Sequence, residues 1–167
     1  MAHALTINGY LSPTGKPLGP AEQFRLLEIA IRAHDLVRDA VPGNSEFWCF
    51  INTVQQLGYD PEVIQEQGGL IAENYPIEPD RTLRAALYLL PGGATLYVAG
   101  EADAVLTRCT AAVGGPLLSI ATVAAMKPPG GYLTALAILE MSSVPADLSR
   151  DRLEQQLTLV GFVVMEI

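Results

Sequence analysis

Side chains able to do acid–base, nucleophilic or metal chemistry are sparse in this chain. His34 and Asp35 are adjacent, as in pairs that ligate a metal. A metal site needs three or four ligands, however, and His3 is the only other histidine. At about 100° per residue His34 falls on the apolar side of its helix and Asp35 on the polar side, so the two side chains diverge. A serine nucleophile served by His34 would want a GxSxG elbow, and none is present. Cys49 and Cys109 are the only cysteines, with 59 residues between them and no CxxC around either. Zinc held by CxxC is thereby excluded, and both are expected as buried thiols on helical faces. Gly92-Gly93, Gly114-Gly115 and Gly130-Gly131 each adjoin proline and lack a phosphate-binding frame, so they read as turns. Neither a metal nor a cofactor is expected.

Contact chemistry is better represented. Trp48 sits at the edge of an apolar helical face beside Asn52 and Gln55, and tryptophan is enriched at binding hot spots. Lys127-Pro128-Pro129-Gly130-Gly131-Tyr132 reads as a hairpin tip with a base and an aromatic ring, the kind of loop that carries function. Trp48, Lys127 and Tyr132 are therefore the candidate partner contacts. Glu140 is the one charge in an apolar strand, and with His34 and Tyr132 it is a candidate for lining a pocket. Acid–base chemistry at Glu140 would need a partner that the sequence does not name. The bland readings stand beside these: a core-rim tryptophan, a turn stiffened by proline, a core histidine.

Composition narrows the field. Half of the residues are hydrophobic and 17% are charged, which suits a filled core and not disorder. The net charge of −8 is uneven: residues 1–80 hold 11 acids and 4 bases, residues 81–167 hold 7 and 6. A phosphate backbone would be repelled by the first half, so nucleic acid is not expected as a partner. No run of 18 apolar residues suggests a membrane span, and the first residues lack a signal-peptide pattern. The expected location is the cytoplasm, with no membrane partner.

The elements that must position these side chains follow from periodicity and stop signals. Residues 1–19 read as a flexible arm, with a short strand over Leu5 to Tyr10. Residues 20–79 form an acidic helical region. Pro20 suits the first turn of a helix reaching to about Val41, with Leu26, Leu27, Ala30, Ile31, Ala33 and Val37 on its inner arc. Asn44 or Ser45 caps a second helix with Phe47, Phe50, Ile51, Val54 and Leu57 inward, and Asp60-Pro61-Glu62 opens a third. Asn74 to Pro79 reads as a linker and candidate boundary. Residues 80–90 fit a helix or the first arm of a hairpin about equally.

From Thr95 the order reads strand, helix, strand, strand, helix, strand. The fold class is α+β, a helical N-terminal region followed by a ferredoxin-like βαββαβ sandwich at 80–167. Its strands are assigned to 96–99, 117–126, 133–141 and 162–167. The assigned strands are apolar on both faces, so either the N-terminal helices or a second copy must cover the second face. At the level of element order, this part resembles amino-acid-sensing and metal-chaperone ferredoxin-like domains, without the CxxC or the glycine-marked ligand loop of either.

Two functions are compatible with these residues. The first is a non-enzymatic interaction or regulatory protein that acts by binding another protein or by self-association, as in a homodimer. The second is a small cofactor-free enzyme or ligand carrier with a pocket between the sheet and the N-terminal helices. A secretion-type chaperone ranks behind both, because the βαββαβ order suits that class poorly.

Overall fold

The computed structural model describes residues 4–167, so the start of the expected arm, with His3, lies outside the described residues. Strand β1 (Thr6–Leu11) is followed by three helices, α1 (Pro20–Ala33), α2 (Ser45–Gln56) and α3 (Pro61–Gln67). Then come β2 (Leu70–Tyr75), β3 (Leu83–Leu90), β4 (Gly93–Glu101), α4 (Ala102–Leu106), β5 (Cys109–Ala112), α5 (Ile120–Ala124), β6 (Tyr132–Met141), α6 (Arg150–Leu153) and β7 (Leu157–Glu166). One sheet holds all seven strands, six of them in the order β1-β7-β6-β4-β3-β2 and β5 beside β7. Every pairing is antiparallel except that of β5, which lies parallel to the start of β7 on the edge that β1 takes further along.

The α+β class holds, but the ferredoxin-like order does not. In the structure β4 lies between β3 and β6, and 117–126, assigned to a strand, contains α5 instead. Ser119 caps α5 by accepting from the Thr122 N–H at 3.1 Å, and short apolar runs do not distinguish helix from strand by period alone. The helix expected through Cys109 and Val113 ends at Leu106, and Cys109 opens β5 against the free edge of β7. The last expected helix also shortens. Leu157 and Val160 belong to β7, where Val160 is an extra residue between the Leu159–Ala137 and Gly161–Leu136 pairs.

The ambiguous stretch at 80–90 is β3, joined to β4 through Pro91-Gly92 with Gly92 at φ +82°. Proline followed by a positive-φ glycine is the type II turn pattern. The expected linker at 74–79 connects β2 to β3, so a strand pair spans the candidate boundary. Helix α1 stops at Ala33 instead of Val41. Asp35 Oδ1 accepts from the Val37 and Arg38 N–H groups, and Asp39 Oδ2 accepts from that of Asp35. These local bonds compete with the helical ladder and leave Val37 exposed.

Both sheet faces are covered within one chain. Tyr88, Tyr97, Leu136, Ile138 and Val163 meet α1 and α2 through Leu26, Leu27, Ile31, Phe47 and Phe50. On the other face Leu87, Leu96, Leu133, Leu159 and Phe162 meet Val105, Val123 and Leu153 of α4, α5 and α6. A second copy is not required for cover. No helix among the described residues is long and apolar enough to cross a membrane.

Two strands approach closely at Gly100, where a Cβ would lie 2.5 Å from Leu83 Cα and Cβ and 2.6 Å from the Thr82 carbonyl oxygen. Backbone cannot move aside as a flexible side chain can. Gly100→Ala is expected to cost about 1–3 kcal/mol, read as a lower urea midpoint. An unchanged midpoint would contradict the close approach.

Candidate binding cleft

The ends of three strands and parts of three helices enclose a cleft of about 500 Å³. Arg84 of β3, Gly100 and Glu101 of β4 and Thr134 of β6 form its floor at one end of the sheet. Thr134 and Glu101 are direct partners across the β4–β6 pair, and the Glu101 N–H donates to the Thr82 carbonyl at 3.0 Å. Glu46, in the first turn of α2, enters from the N-terminal layer and accepts from Thr134 Oγ1 at 2.9 Å. Asp103 of α4 and Lys127, just past α5, bring charge from the opposite layer.

The walls are apolar. Val123 of α5 is buried, while Ile77, Ile120 and Tyr132 stand half-exposed at the rim. Arg84 is 7% exposed and its Nη1 lies 2.8 Å from Asp39 Oδ1. A charge in an otherwise apolar strand is stable when paired in this way. Glu101, Asp103 and Lys127 make no ion pair among the described residues, whereas Asp103 Oδ1 accepts from the Ala104 N–H at 2.9 Å.

Of the residues singled out by sequence, Lys127 and Tyr132 line this cleft. Trp48 does not line it. Its Nε1 donates to the Val41 carbonyl at 2.9 Å and its ring meets Phe47 edge-on at 5.0 Å. His34 caps the end of α1, buried, with Nδ1 2.6 Å from the Ala30 carbonyl oxygen. Its neighbours are the Phe47 and Phe50 rings at 5.5 and 5.9 Å. Burial, and next the Arg84 charge, push its pKa down to about 4. Glu140 is exposed opposite Thr95, eight residues along β6 from Tyr132, or about 27 Å. The structure therefore does not bring His34, Glu140 and Tyr132 together, and the space beneath the N-terminal helices is filled by the core.

No protein-family model matches the chain, and no curated protein matches it. Neither cysteine offers a nucleophile at neutral pH. Burial pushes Cys49 up to about 11 and Cys109 up to about 12. Among the described residues no three His, Cys, Asp or Glu side chains gather around a common point where a metal would sit.

Sequence reasoning missed Arg84, Glu46, Glu101 and Thr134 as a group. Arg84 was the available signal. It is the one charge between Leu83 and Leu90, as Glu140 is in its own strand.

Proposed function

We propose that this protein is non-enzymatic and regulatory in character, and acts by seating part of a partner in the cleft at the sheet end. The observation that carries the reading is the cleft itself, with apolar walls, a half-exposed apolar rim and a few polar groups at its base. A volume of about 500 Å³ falls within the range of roughly 300–1,000 Å³ that suits a specific ligand. Lys127 and Tyr132 serve as contacts in this reading. The polar groups at its base are already engaged with one another or with neighbours, Glu46 with Thr134 and Arg84 with Asp39, which supports a binding role.

The alternative of a small-ligand carrier or cofactor-free enzyme draws on the same cleft. A chaperone of secreted partners gains ground as well, because the βαββαβ order that counted against it is not the order of this sheet. Ala124→Trp separates a cleft-based function from one located elsewhere, since Ala124 is exposed, lines the cleft, and leaves the core untouched when enlarged. Native mass spectrometry of the protein from its own host is expected to show an added chain or molecule that the Ala124→Trp variant loses. A bare chain in both preparations, or an adduct kept by the variant, would sink the proposal.

A further inference from the structure

Three observations about the cleft point to its occupant, and the argument rests on the cleft reading above. The first is a charge imbalance. Arg84 is neutralised by Asp39, which leaves Glu46, Glu101 and Asp103 facing Lys127 alone. The chain carries −8 overall, so a cationic occupant is favoured both at the site and on approach. The second is Arg84 itself, more than nine-tenths buried and bordering the cleft. Its one ion pair is made through Nη1, whereas a guanidinium has five N–H donors, so a neutral oxygen such as a peptide carbonyl suits the remainder.

The third observation is the segment Leu117 to Met126, whose residues are Leu-Leu-Ser-Ile-Ala-Thr-Val-Ala-Ala-Met. In this apolar run Val123 is buried and Leu117, Leu118 and Met126 pack half-buried against the core, while Ile120 and Ala124 stand exposed along the cleft. Ile77 and Tyr132, also half-exposed, complete an apolar rim. Successive side chains of an extended chain point to opposite sides, so one strand-like segment presents apolar and basic groups together with carbonyl oxygens.

We infer that the cleft takes an extended polypeptide segment in which basic and apolar side chains alternate. The apolar side chains enter between Ile120 and Tyr132, the basic ones meet Glu101 and Asp103, and backbone carbonyls face Arg84.

The test uses a fluorescein-labelled mixture of hexapeptides in which Lys or Arg alternates with Leu, Ile or Phe, read by fluorescence anisotropy. A matched mixture with Glu in place of the bases is the control. The wild-type protein should bind the basic mixture and not the acidic one. Affinity should fall at least tenfold in Glu101→Gln/Asp103→Asn, which alters only exposed side chains, and binding should be lost in Ala124→Trp. Binding that survives in Ala124→Trp would place the peptides elsewhere on the acidic surface and overturn the inference. Full competition by N-acetyl-lysinamide at equal concentration would overturn it in favour of a small molecule. Absence of peptide binding, with an Ala124-dependent adduct still seen from the native host, would reject the basic peptide while leaving the cleft reading intact. Absence of both would reject the two together.

Discussion

Glu154→Ala is expected to lower the unfolding free energy by about 3–5 kcal/mol, the usual result of breaking a buried ion pair from one side. The Glu154 side chain is 1% exposed and serves two arginines. Arg150 Nε lies 2.9 Å from Oε2 and 3.1 Å from Oε1, and Arg81 Nη1 lies 3.0 Å from Oε1. Arg150 also donates to the carbonyls of Leu83 and Pro76 and stacks over the Tyr75 ring at 5.8 Å. Arg81 reaches Asp151 at 2.6 Å, and its own ionisation is favoured first by that bond. Removing the Glu154 carboxylate takes away the buried counter-charge that both guanidinium groups share and leaves each with one far more exposed carboxylate, Asp151 for Arg81 and Glu78, at 3.3 Å, for Arg150. For a chain of this size the melting temperature should fall by about 10 °C. Glu154→Gln keeps the shape and some hydrogen bonds, so it should cost less than the alanine variant. The Glu154→Ala/Arg150→Ala double variant should lose less than the sum of the two single variants, because the pair is coupled. Additive losses in denaturant unfolding would show that the network does not act as a unit.

This network also bears on the cleft. It ties α6 to the β2–β3 connection, and that connection carries Ile77 and leads to Thr82, both at the cleft. Loss of Glu154 should therefore loosen one wall of the site as well as lower the stability of the whole chain.

How far the sequence could be read depended on whether local signals and long-range pairing agreed. Helices α2 and α3 were legible because their start signals are local. Asn44 Oδ1 accepts from the Phe47 N–H at 3.2 Å, and Asp60 Oδ1 from the Glu62 N–H at 2.9 Å. The apolar character of both faces was equally legible at 133–141, where it follows from residue type and the two-residue period and demands two covering layers, whereas 117–126, read in the same way, is not a strand.

Strand order was not legible in the same way. Leu117 to Met126 has the composition of a buried strand, yet no sheet edge receives it. One edge of β7 is divided between β5 and β1, and the outer strands are β1 and β2. Leu157 and Val160 have helical spacing relative to Leu153, but Leu157 pairs with Cys109 of β5, and Leu159 and Gly161, on either side of Val160, pair with β6, which draws the stretch into β7. In the second case pairing with distant residues overrode local spacing, whereas in the first the Ser119 cap favours a helix. Of the cleft, Lys127 and Tyr132 stood out because the proline- and glycine-rich stretch that holds them is visible locally, although it joins α5 to β6 and is not the expected hairpin tip. Glu46, Arg84, Glu101 and Thr134 come from four elements and meet only when the sheet forms, so no spacing along the chain announces them.

Stability should fall steeply in acid because of His34. In the folded protein its imidazole is buried between Phe47 and Phe50, and burial followed by the Arg84 charge lowers its pKa to about 4. The Ala30 carbonyl and the Asp39 charge oppose that shift without cancelling it. Nδ1 carries the proton that the Ala30 carbonyl accepts, and Nε2 has no partner. Protonating Nε2 would bury a charge beside Arg84. In the unfolded chain the same ring titrates near its ordinary value of about 6.5. Above that pH both states are neutral and His34 makes no pH-dependent contribution. As the pH falls from about 6.5 to about 4 the unfolded state binds a proton that the folded state does not, and stability drops by up to about 1.4 kcal/mol per pH unit. The total is about 3 kcal/mol, and below pH 4 this contribution is flat because both states are protonated. Asp35, whose pKa is lowered by the Val37 and Arg38 N–H groups against the opposing effect of burial, adds its own loss in stronger acid. The contribution of His34 is isolated by comparing urea unfolding of wild type with His34→Asn across pH 4 to 7. The asparagine does not titrate and retains a donor for the Ala30 carbonyl. Between pH 7 and pH 4 the wild type should lose about 3 kcal/mol more than the variant, whatever their offset at pH 7. Parallel curves would mean that His34 is protonated as readily in the folded protein as in the unfolded chain.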